Sequence, residues 1–70
     1  MPEAIVRGQQ GKEVERLQRL LARTGQRITI DGVFGPRTQV AMASFLRTRG
    51  RAGSGARVDA ELLELLELAA

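Results

Sequence analysis

Apolar side chains recur at spacings of three and four along two stretches of the chain and crowd one side of a third. Val14, Leu17, Leu20 and Leu21 form one such stripe, with Lys12, Arg16, Arg19 and Arg23 on the opposite side at about 100° per residue. The spacing predicts a helix from Lys12 to Thr24, ended by Gly25. Thr38, Ala41, Met42 and Phe45 predict a second helix from Pro36 to Thr48, closed by Gly50. Pro36 fits its first turn, where no N–H is needed. Leu62, Leu63, Leu65, Leu66 and Leu68 give a third helix, from Asp59 to Leu68, a wide apolar face with Glu64 and Glu67 outside it. Asp59 suits its N-cap, because the carboxylate accepts from free first-turn N–H groups.

These helices share a repeat of 24 residues. Gly8, Gly11, Val14, Leu17 and Leu21 fall on Gly32, Gly35, Thr38, Ala41 and Phe45. Gly35, Thr38 and Ala41 fall in turn on Asp59, Leu62 and Leu65. Each unit is a turn followed by one helix whose stripe is too small to be buried alone, so stacking around a shared core is the natural solution. The expected fold is all-α: a small three-helix bundle of pseudo-repeated loop–helix units, one domain over residues 1–70. Between the first two helices, Ile28, Thr29 and Ile30 alternate in a way that suits extended, partly buried chain. The segment from Gly50 to Val58 is glycine-rich and polar, and is expected to be the most mobile part.

Length and composition narrow the function. A 70-residue chain buries only about 60% of its unfolded surface, which leaves no room for a deep cavity with supporting shells. Without cysteine or histidine there is no disulfide, no thiolate or imidazole metal ligand and no imidazole base. No serine–histidine–aspartate set exists, and Glu61, Glu64 and Glu67 read as a solvated helix face. No catalytic residue, metal site or cofactor is assigned. Phe34 and Phe45 are the only aromatics and read as core, so stacking platforms for bases or sugars are missing.

The charge is unevenly spread. Residues 1–57 carry all eleven Lys and Arg against four acids, a net of +7, whereas residues 58–70 carry four acids and no base, a net of −4. The arginines read either as solvated helix faces or as a field that steers an anionic partner. Nucleic acid is disfavoured, since a helix-turn-helix needs a turn of about three to four residues and the gaps here are roughly eleven and nine. No run of about eighteen apolar residues is present to span a membrane. The segment from Met1 to Arg7 lacks the basic start and apolar stretch of a signal peptide. Either a cytosolic chain or a piece of a longer exported protein fits that start.

The most informative stretch is Asp31-Gly32-Val33-Phe34-Gly35-Pro36-Arg37-Thr38, followed by Ala41-Met42 and Phe45. It is a turn that launches a helix. Gly32 and Gly35 permit positive φ or close backbone approach, and Asp31 suits an Asx-type turn. Phe34 would plug the core from the loop. These residues resemble the Asp-Gly-x-Phe-Gly-x-x-Thr signature of the peptidoglycan-binding domain family. Gly8, Gly11, Val14, Leu17-Gln18, Leu21 and Val58-Asp59 extend the resemblance over residues 5–66. It implies a three-helix module, often attached to cell-wall hydrolases, that binds peptidoglycan through peptide stems and glycan. Asp31, Gly32, Phe34, Gly35 and Thr38 match the motif, and each also has a folding role.

Candidate ligand-binding residues are Arg23, Arg27, Ile28, Thr29, Ile30 and Arg37, lining a shallow groove. Arginine forks suit the carboxylates of peptide stems. The chain departs from the family at Phe45-Leu46, where Phe-Gln is usual, at Gln26-Arg27-Ile28, where tyrosines are common, and at Val40, a site commonly charged. Val40 and Leu46, if both exposed, would make a surface for a protein partner. Two readings follow: a wall-binding module, or an adaptor built on the same scaffold. Either is expected to be monomeric on its own.

Overall fold

The computed structural model describes residues 4–70, in the order β1 (Ala4–Val6), α1 (Lys12–Arg23), α2 (Pro36–Thr48), β2 (Arg57–Asp59) and α3 (Ala60–Ala69). The three N-caps are Gly11, Gly35 and Asp59, so the helices start at the 24-residue interval of the sequence repeat. Only Asp59 caps with its side chain, accepting from the Leu62 N–H at 2.9 Å.

The repeat has a further register line. Gln18, Met42 and Leu66 are related by the same interval, and all three are fully buried. Around them the core gathers Val14, Leu17, Leu21, Phe34, Ala41, Phe45 and Val58, among others. Phe34 enters from the loop, as its place in the turn predicts. On α3 the burial is narrower than the leucine run suggests. Leu66 is buried, Leu62, Leu63 and Leu65 only flank the core, and Leu68 is 80% exposed. A ten-residue helix docked on one side presents one line to the core, and Leu68 lies off it.

A two-stranded sheet supplements the helices. β1 and β2 pair antiparallel, placing Ile5 opposite Val58, both of them buried. The pairing continues to the Arg7 N–H, which donates to the Ala56 carbonyl at 2.9 Å. The loops before α1 and α2 also pair. Gly11 N donates to Gly32 O, Gly8 N to Phe34 O and Phe34 N to Gln9 O, each at 2.9 Å.

The glycine-rich segment after α2 is tied down, contrary to its composition. Gln39 Nε2 donates to the Ser54 carbonyl at 3.2 Å, and Arg51 N donates to Leu46 O at 2.9 Å. Gly55 is buried at φ 83, and a Cβ there would sit 2.4 Å from the Gln39 carbonyl. Only glycine allows that approach. The loop therefore covers one flank of α2, and Leu46 lies beneath it at 2% exposure. The condition for a shared apolar surface, that Val40 and Leu46 both be exposed, is therefore not met, and Leu46 is corrected to a core residue.

Candidate functional site

Gln18 sits in an otherwise apolar helix stripe, so burial must be met with hydrogen bonds. It is 1% exposed, and its carboxamide reaches across to the turn before α2. Its Oε1 accepts from Asp31 N at 3.0 Å and Gly32 N at 2.9 Å. Its Nε2 donates to Asp31 Oδ1 at 2.9 Å, Val33 O at 3.1 Å and Thr38 Oγ1 at 3.1 Å. Two backbone N–H groups on one side and three acceptors on the other fix the amide orientation, since reversing it would set donors against donors. The turn is held from within.

Asp31 completes the network. Its Oδ1 also accepts from Val33 N at 3.0 Å, the Asx turn expected from the sequence. The Gln18 amide holds the Asp31 carboxyl below its ordinary pKa, helped by Val33 N–H and, more weakly, by the Arg37 charge. Gly32 adopts φ 76, and a Cβ there would press on Glu15 and the Gly11 carbonyl. Gly35 differs from the expectation for it. Its φ is −108 and the space beside it is open, so this turn does not require glycine there. Thr38 is buried, and its hydroxyl donates to Val33 O at 3.3 Å.

Two depressions open on either side of Arg37. The first, about 430 Å³, is lined by Gln18, Thr29, Asp31, Val33, Arg37 and Thr38. The start of α2 borders it, with no acid in the first turn and no side-chain cap. The second, about 460 Å³, is lined by Arg27, Arg37, Val40, Ala41, Ser44 and Arg47, with Gly25 and Gln26 at its edge.

The sequence candidates divide between these grooves and other places. Thr29 lies in the first, Arg27 in the second and Arg37 in both. Arg23 is exposed on the last turn of α1 but lines neither. Ile28 packs against the core, which makes it a support for the loop, and Ile30 is exposed outside both depressions. Val40 is 66% exposed and lines the second groove.

Among the described residues, no helix is long and apolar enough to cross a membrane, and no three acidic, His or Cys side chains gather as a metal site. The family model of the peptidoglycan binding domain matches residues 10–66. The chain belongs to that family. It is a cell-wall peptidoglycan-binding module, and solved structures agree on the scaffold. The N-terminal domain of SleB is similar at 31% identity and TM-score 0.88, covering 99% of this chain and 94% of that one. The Burkholderia AP3 phage endolysin matches at 28% identity and TM-score 0.88 over 99% of this chain. A fused Zn-dependent amidase/peptidase/peptidoglycan-binding domain-containing protein from Clostridium acetobutylicum matches at 33% identity and TM-score 0.85 over 94% of this chain. This chain spans only 26% of the endolysin and 29% of the amidase chain. A search of curated proteins returns no match.

Sequence reasoning passed over Gln18 as a site residue and Arg47 as a groove residue. Gln18 was detectable: it lies four residues after Val14 and three before Leu21, inside the buried stripe. Arg47 was also detectable, because Arg37, Val40, Ser44 and Arg47 follow a single helical face.

Proposed function

We propose that this peptidoglycan-binding module is non-catalytic and monomeric, and that it holds both peptide stem and glycan in the two grooves beside Arg37. In a longer protein it would bring an attached domain to the wall. The observation that carries the reading is the placement of Arg37 between a groove bordered by the Gln18–Asp31 hydrogen-bond network and a second groove lined by three arginines. The first offers the Thr29 hydroxyl and the Asp31 carboxylate, groups that suit sugar hydroxyls and peptide N–H donors. Asp31 is pre-positioned by Gln18, so little ordering is needed on binding. The second offers guanidinium forks for stem carboxylates. Three of the residues expected from the sequence, Arg27, Thr29 and Arg37, fall in these grooves.

The adaptor reading has less support. It drew in part on an apolar surface at Val40 and Leu46, and Leu46 is buried. Val40 is left among arginines, an environment suited to anions more than to an apolar partner.

The test is retention on purified cell-wall sacculi at low salt, with sedimentation to verify a monomer. Wild-type protein should be retained, and Arg27→Ala combined with Arg37→Ala should release most of it without altering the helical circular dichroism. Absence of wild-type retention would overturn the reading.

A further inference from the structure

We infer that the second groove makes the module selective for peptide stems whose carboxylates are free, over stems in which they are carboxamides. The inference rests on the peptidoglycan reading above and adds a substrate preference to it.

Three guanidiniums surround this depression of about 460 Å³. Arg27 comes from the loop after α1, Arg37 from the first turn of α2 and Arg47 from its last. On α2 the groove wall runs Arg37, Val40, Ser44, Arg47, spacings of three, four and three that keep one face. At about 1.5 Å rise per residue the two arginines stand roughly 15 Å apart along the helix, with Val40 and Ala41 between them. No acidic residue lines the groove. The ion pairs among the described residues join Arg16 to Glu67, Arg19 to Glu15 and Arg51 to Glu61, and none uses the groove arginines. Asp31, the acid near Arg37, has the same carboxylate oxygen accepting from Gln18 and Val33 N.

Such a surface is a poor host for an amide. Arginine has donors and no acceptor, so the NH₂ of a carboxamide finds no partner on the three guanidiniums, and its single oxygen carries no charge. A carboxylate brings two acceptor oxygens and a full charge, and it can pair with a guanidinium in bidentate fashion. Discrimination thus has an attractive and a repulsive part. The exposed Val40 side chain suits the methylenes that separate the acids of a stem. Exposed pairs of this kind each favour the charged ligand about two- to fivefold, so two or three give roughly a tenfold preference. Salt should erode it, because the arginines are solvent-facing.

The experiment is calorimetric titration with soluble disaccharide–peptide fragments released from sacculi. One arm uses fragments with free stem carboxylates, and the other uses the same fragments after chemical conversion to carboxamides. Wild-type protein should bind the free form about tenfold tighter. The triple variant Arg27→Gln, Arg37→Gln, Arg47→Gln should bind both forms with equal affinity. Equal wild-type affinities would overturn the inference and leave the peptidoglycan reading standing. A preference that persists in the triple variant would overturn its assignment to this groove. Binding of neither form by wild type would overturn the broader reading as well.

Discussion

Gln18 is where one side chain decides most about this molecule. The same register position holds Met42 and Leu66 in the other two units, so an apolar residue would pack there. The amide is retained because the turn from Asp31 to Val33 turns two N–H groups and a C=O inward, where Gln18 satisfies them. Gln18→Leu is therefore expected to destabilise the fold by about 2–4 kcal/mol despite added hydrophobicity, because the buried Gly32 N–H and the part-buried Asp31 N–H lose their acceptor. Denaturant unfolding measures this, and an unchanged midpoint would contradict the role given to the amide. Asp31 adds a pH signature. Its carboxyl is held below the ordinary value, so its stabilising contribution is full above that value and fades as pH falls through the folded-state pKa. Asp31→Asn keeps the acceptor oxygen but removes the titration. The drop in melting temperature between about pH 6 and about pH 2.5 should be smaller in this variant than in wild type.

Among the elements, α2 does the most varied work. Thr38, Ala41, Met42 and Phe45 face the core, Gln39, Ala43 and Leu46 lie under the glycine-rich loop, and Arg37, Val40, Ser44 and Arg47 wall the second groove. The loop takes these three positions of the helix, and for that Gly55 is essential. Its backbone lies where a side chain would strike Gln39 O and Ala43 N. Gly55→Ala should cost upwards of about 2 kcal/mol, from the positive φ together with the close approach. Amide exchange at Arg51, whose N–H binds Leu46 O, should quicken in parallel. Unchanged stability would mean that the loop does not dock as described. Val40→Glu should leave the fold intact, since that side chain is mostly solvent-facing.

At the scale of the whole molecule, three loop–helix units close on one another through contacts far apart in sequence. β1 pairs with β2 across most of the chain's length, tying the entry to the first unit to the entry to the last. Arg16 of α1 meets Glu67 of α3, and Arg51 meets Glu61 at 3.5 Å, so part of the acidic end is spent on the basic body. These exposed pairs contribute little to stability, but they leave the groove arginines as a cationic surface. Retention on sacculi and the tenfold carboxylate preference both depend on that division of charge.

By itself, the sequence determined the helices and their order, because the 24-residue period sets both the apolar lines and the N-caps. It also determined the turn of Asp31, Gly32, Phe34 and Thr38, whose chemistry is local. The short sheet was hidden because three-residue strands carry no periodicity and are stabilised only by the partner they meet. Leu46 and Val40 were indistinguishable for a similar reason: which flank of a helix is covered depends on where a distant glycine loop comes to rest. The same holds for the ligand surface. Arg27 and Arg47 are separated by twenty positions, and only packing of the first loop against α2 makes them two walls of one groove.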